Sequence, residues 1–206
     1  MNGVNKELVN YIEKNVFPNY FKNDKGHQVE HITDVIERSF ELSKNLNVDN
    51  NMVYTIAAYH DYGSYIDRKN HEKVSAKIMF EDANLQEFFT EEERIIIKEA
   101  IEDHRASLKG EPRSIYGKIV SSADRNIDID VYIKRVYAHT SVYYPEYTRD
   151  EHLEWIYKHM EKKFGPSGYA KMYLEDQLYE DYLKKVISLI SEKEKFVEKF
   201  NEVINC

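Results

Sequence analysis

The chain has 206 residues, room for one large domain or a domain with an appendage, and its net charge of -8 disfavours general attraction to nucleic acid or anionic lipid. A lone cysteine, Cys206, excludes a disulfide framework and a cysteine-based zinc site and fits a reducing cytoplasm. No basic stretch followed by an apolar run opens the sequence, and no window approaches the ~18 uncharged apolar residues of a membrane span, so a soluble, cytoplasmic protein is expected.

With 7 Gly, 4 Pro and no convincing period-2 stretch, helix is the expectation nearly throughout. Leu8, Tyr11, Ile12 and Val16 mark a first apolar face, which Pro18 ends. A second follows in Ile32, Val35, Ile36, Phe40 and Leu42, and a third in Val53, Ile56 and Ala57. Thr90 with Glu93 reads as a capping box for a helix through Ile95, Ile97 and Ile101. Lys109-Gly110-Glu111-Pro112 breaks the pattern before an apolar segment from Ile115 to Asp124. Beyond Pro145, Thr148 with Glu151 forms a second capping box, for a helix through Leu153, Ile156 and Met160, and Gly165-Pro166-Ser167-Gly168 closes it. No repeat or low-complexity linker is visible, so residues 1–140 are expected to form one helical domain with 141–206 as a helical extension packed on it.

Five of the eight histidines fall between positions 27 and 104. His27 and His31 are four apart and share a helix face, but Gln28 stands where a zinc protease of the HExxH type needs its general-base glutamate, which excludes that chemistry. His60-Asp61 ends an apolar run whose small Ala57 and Ala58 let neighbouring helices come close. Asp124 ends another, where a carboxylate is costly to bury unless a metal or cation takes its charge. The segment from His104 to Arg125 is basic within an acidic chain: Arg105, Lys109, Arg113, Lys118 and Arg125 stand against Glu111 and Asp124, a composition suited to phosphate oxygens.

His31, His60-Asp61 and Asp124, in that order on successive helices, resemble the H…HD…D pattern of the HD-domain metal-dependent phosphohydrolases. Gly26-His27, His71-Glu72-Lys73-Val74-Ser75-Ala76 and Ile101-Glu102-Asp103-His104-Arg105 agree with it, so the resemblance covers residues 24–135. It implies an all-α bundle in which His31, His60, Asp61 and Asp124 ligate one divalent metal, a set that suits Mn, Fe, Co, Ni or Zn. The function implied is attack of metal-activated water on phosphorus in a small phosphorylated metabolite, a nucleotide first among them. The alternative is a regulatory module that binds metal and phosphate ligand without turnover. His71 and His104 are then either substrate or proton-transfer residues, or ligands of a second ion, with Glu72 placed to position water or move a proton. Arg105 and Arg125, adjacent to site residues, and Arg68 and Lys69, close behind the His-Asp pair, are the candidate phosphate contacts. Self-association is left open, and neither a nucleic-acid polymer nor a membrane is an expected partner. Asp34 departs from the family, in which many members carry arginine three residues after the first histidine, and this weakens transfer of a substrate by analogy. Residues 139–182 hold eight tyrosines, expected chiefly in helix packing and alternatively over a nucleobase.

Overall fold

The computed structural model describes residues 3–22, 29–125 and 127–204; Gly26, His27 and Cys206 lie outside them. Among the described residues there are ten α-helices and no strand. They are α1 (Lys6–Asn15), α2 (Val29–Ser43), α3 (Asn50–Tyr59), α4 (His71–Glu81), α5 (Glu91–Glu102), α6 (Ile115–Ala123), α7 (Ile129–Tyr143), α8 (Arg149–Phe164), α9 (Gln177–Ser191) and α10 (Lys193–Ile204). Side chains close the starts: Asp49 accepts from Asn51 and Met52 N–H, Ser114 from Gly117 N–H, and Thr90 with Glu93 and Thr148 with Glu151 form reciprocal capping boxes. No helix is long and apolar enough to cross a membrane among the described residues.

The chain divides into two compact units, the first Met1–Asp124 with Met172–Glu175 and the second Arg125–Lys171 with Asp176–Cys206. Helix α7, which the sequence reading places in the first domain, therefore falls in the second unit. The first unit is built around α3, where every residue from Met52 to Tyr59 is buried. A helix apolar on all sides is stable only at the centre of a core, and α2, α5 and α6 pack against it. Ile32, Val35, Ile36, Ile97, Ala100, Ile101, Val120 and Ala123 supply the facing surfaces. In the second unit, α7 to α10 pack on one another through Ile133, Ile156, Met160, Val186, Phe196 and Phe200. Several of the tyrosines serve that packing: Tyr179 and Tyr182 are buried, and Tyr157 lies 5.2 Å from Phe196 between ring centroids.

Central placement of α3 matters because its C-terminal end carries His60 and Asp61. The chain turns there through a 3-10 segment, Tyr62–Tyr65, tight against α4. Gly63 permits that approach, since a Cβ on it would sit 2.8 Å from Val74 Cβ and Cγ1 and 2.9 Å from Ser75 N. Its own N–H donates to Ser75 Oγ at 2.8 Å, which ties the turn to α4 in a buried hydrogen bond.

Candidate metal centre

Six polar side chains meet at helix ends of the first unit. His31 stands in the first turn of α2, His60 caps the C-terminus of α3 with Asp61 next to it, and His71 opens α4. His104 follows the C-cap of α5, and Asp124 is the C-cap of α6. One ligand atom each from His31, His60 and Asp124 lies within 4.8 Å of the others, and the same is true of Asp61, His71 and His104. The Asp61 carboxylate stands between these groups. Its Oδ2 is 3.8 Å from His31 Nε2 and 3.6 Å from His60 Nε2, while its Oδ1 is 3.1 Å from His71 Nε2 and 3.6 Å from His104 Nε2. Asp124 Oδ1 completes the first group, 3.2 Å from His31 Nε2 and 3.8 Å from His60 Nε2.

Ring orientation is set by the backbone. His60 Nδ1 donates to Ala57 O at 2.8 Å, His71 Nδ1 to Arg68 O at 3.0 Å and His104 Nδ1 to Ile101 O at 2.7 Å. A carbonyl only accepts, so Nδ1 bears the proton in all three and the neutral tautomer has its Nε2 lone pair directed into the cluster. Such a hydrogen bond is the usual way a protein orients a metal-binding imidazole. The residues fit a metal by a further test: His60 Nε2 is fully buried and has no hydrogen-bond partner among the described residues. His71 Nε2 and His104 Nε2 are 3.2 Å apart, a distance at which two lone pairs need a proton or a cation between them.

Electrostatics favour the ligating forms of His60 and Asp124. Burial pushes His60 down to about 4, against the pull of Asp61 and Asp124, so it is neutral near pH 7. Burial would raise Asp124, but the hydrogen bond with His31 and the charges of His60 and His31 hold it far below the usual carboxylate range. His104 is raised: burial acts to lower it, and the hydrogen bond and charge of Asp61 outweigh that.

The basic residues divide. Arg105 donates through Nη1 to Lys69 O at 2.8 Å and to Glu72 Oε2 at 3.2 Å. Arg68 donates to Ser64 Oγ at 3.3 Å, and the Lys69 side chain is exposed. Arg113 is committed elsewhere: it holds buried Asp103 at 2.9 to 3.2 Å, together with Glu102 and Glu99 O. Lys118 pairs with Glu111 at 3.1 Å. Arg125 is buried and belongs to the second unit. Of the C-terminal histidines, His152 is buried, His159 stacks on Trp155 and is pushed down to about 4 by burial, and His139 is exposed. Sequence reading missed Tyr20, whose buried hydroxyl donates to Ala58 O at 2.8 Å two residues before His60. It sits in an aromatic, apolar context that carries no site signal.

A family model described as HD domain matches residues 29–126. A solved structure described as a predicted HD superfamily hydrolase from an uncultured Thermotogales bacterium is 21% identical, with a TM-score of 0.49, over 79% of this chain and 92% of that one. No curated protein matches. The HD-domain match spans residues 29–126, and His31, His60-Asp61, His71, His104 and Asp124 all lie inside it.

Proposed function

We propose that the chain is a metal-dependent phosphohydrolase whose first ion is held by His31, His60, Asp61 and Asp124, and whose second is held by Asp61, His71 and His104. The HD domain and the two groups of clustered donors support the coarser reading, a metal-dependent hydrolase. The approach of His71 Nε2 to His104 Nε2, beside Asp61 Oδ1 and with both Nδ1 atoms already used, is the observation that favours a second ion over a substrate contact. Imidazole and carboxylate donors in this mixture suit Mn, Fe, Co, Ni or Zn. Divalent ions, when bound, supply Lewis-acid polarisation of a phosphoryl oxygen and a water of lowered pKa.

The residues around the donors bind and orient. Asp61 lies between both groups and keeps them at one spacing, while the carbonyls of Ala57, Arg68 and Ile101 fix the rings. Arg68, Lys69 and Arg105 give the site basic neighbours for a phosphorylated metabolite, with nucleotides the first class to test. Arg125 is left out of this contact set. The experiment is elemental analysis under saturating Mn²⁺, Co²⁺ or Ni²⁺, joined to a phosphate-release screen across nucleotides. The expected result is two ions per chain, one in His104→Ala, and phosphate from at least one nucleotide. One ion in both proteins would return His71 and His104 to substrate contact, and absence of release from every phosphate ester tried would sink the phosphorus chemistry.

A further inference from the structure

Glu72, in the first turn of α4, and Arg105, in the loop after α5, are the residues immediately after His71 and His104, so they flank one end of the candidate metal centre. Arg105 Nη1 is anchored twice, by Lys69 O at 2.8 Å and Glu72 Oε2 at 3.2 Å. Its Nε and Nη2 have no partner among the described residues, and its side chain is 37% exposed. Glu72 is 13% exposed and its Oε2 is 3.9 Å from His71 Nδ1, which donates to Arg68 O instead. The Glu72 carboxylate is thus committed to the Arg105 guanidinium.

The same pairing makes it a good support. An arginine side chain is long and costs entropy to immobilise, and pinning one terminal nitrogen removes much of that cost before any ligand arrives. The edge left open, Nε with Nη2, is one that can give two parallel N–H bonds to a phosphate. We propose that Glu72 is a positioning residue: with the Lys69 carbonyl it holds Arg105 Nη1 so that the Nε–Nη2 edge grips two oxygens of the substrate phosphate. This rests on the phosphohydrolase reading above and moves Glu72 from proton transfer to substrate binding.

Calorimetric titration of the metal-loaded protein with inorganic phosphate tests it, using wild type, Glu72→Gln, Glu72→Ala, Arg105→Lys and the Glu72→Ala/Arg105→Lys double variant, each checked for metal content. Arg105→Lys should weaken phosphate on the order of tenfold, the scale of one charge-assisted contact. Glu72→Ala should weaken it in the same direction, and Glu72→Gln, which still offers a carbonyl oxygen, should recover most of the loss. The double variant should bind no more weakly than Arg105→Lys alone, because both changes act through one contact. On any substrate found, Glu72→Ala should raise KM and keep kcat. Phosphate binding by Glu72→Ala equal to wild type overturns the inference and leaves the functional reading standing. A fall in kcat at unchanged KM, or a loss of metal, overturns it too, by placing Glu72 in proton transfer or among the ligands. A metal-loaded wild type that binds no phosphate overturns both.

Discussion

Replacing Gly63 with alanine tests whether the turn after the His-Asp pair sets the second donor group. The added Cβ would meet Val74 Cβ and Cγ1 at 2.8 Å and Ser75 N at 2.9 Å. Carbon pairs rest at about 3.5–4.0 Å, so the overlap is at least roughly 0.7 Å. Cβ and backbone nitrogen are not flexible ends, and relief requires α4 to move away from the turn. Overpacking of this kind costs about 1–3 kcal/mol, and stretching the buried Gly63 N–H to Ser75 Oγ bond adds about 1 kcal/mol. Stiffening of the unfolded chain by alanine offsets about 1 kcal/mol, which leaves a net loss of about 1–3 kcal/mol. For a chain of this length that is a drop of roughly 2–12 °C in the first thermal transition. Because His71 opens α4 and its Nε2 is 3.1 Å from Asp61 Oδ1, the same movement should weaken metal at Asp61, His71 and His104 before it weakens metal at His31, His60 and Asp124. Scanning calorimetry and metal titration read the two effects. Adding Val74→Ala removes one of the three close contacts and should rescue only part of the loss. A Tm within about 1 °C of wild type together with unchanged metal binding would refute the argument.

Asp61→Ala should lose metal from both groups, since its two oxygens face different histidine pairs; retention of wild-type metal by elemental analysis would remove it from the ligand set. Arg113→Ala should destabilise by about 1–3 kcal/mol in urea melts, with metal content unchanged, because it removes the guanidinium from the buried Asp103 carboxylate and leaves only the backbone N–H of residue 113 on it; that remaining bond and the exposure of Arg113 itself keep the cost below that of a fully buried pair. Asp82 is lowered below its ordinary range, burial opposing and the hydroxyls of Tyr11 and Tyr59 with Asn84 prevailing. A depressed carboxylate stabilises the fold fully above its unfolded pKa of about 3.9 and progressively less as pH falls through the folded value. Tyr11→Phe should therefore bring on acid unfolding at a higher pH than in wild type, and superimposable acid limbs in circular dichroism would count against the Asp82 account.

The helical fold was legible because its signals are local. Thr90 with Glu93 and Thr148 with Glu151 carry their partner three residues away, and both boxes form. Apolar spacing likewise marked the faces of α1 and α2 that are buried. The resemblance named His31, His60, Asp61 and Asp124 in order and left His71 and His104 open between substrate and a second ion; that Asp61 also turns an oxygen toward those two histidines was not legible. Side-chain pairings across long separations were not legible at all. Arg105 meets Glu72 across 33 positions and Arg113 meets Asp103 across 10, and a basic run looks the same whether its members face a ligand or a carboxylate of the same protein. Arg113 shows this: it belongs to a basic segment whose composition suits phosphate, and packing commits it to Asp103.

His60, His71 and His104 each reach back to the carbonyl of the residue three before. The aim of each ring is thus decided within four consecutive residues, whereas the spacing between rings is decided by the meeting of α3, α4 and α5. Direction and distance are consequently separate inheritances of the site. Core substitutions that loosen the helices should spread the donors while leaving each one correctly pointed, so such variants would shift toward larger ions before they lose ion binding. A substitution that bends one of the three short segments, by contrast, would turn a single ring away and leave the spacing of the others untouched.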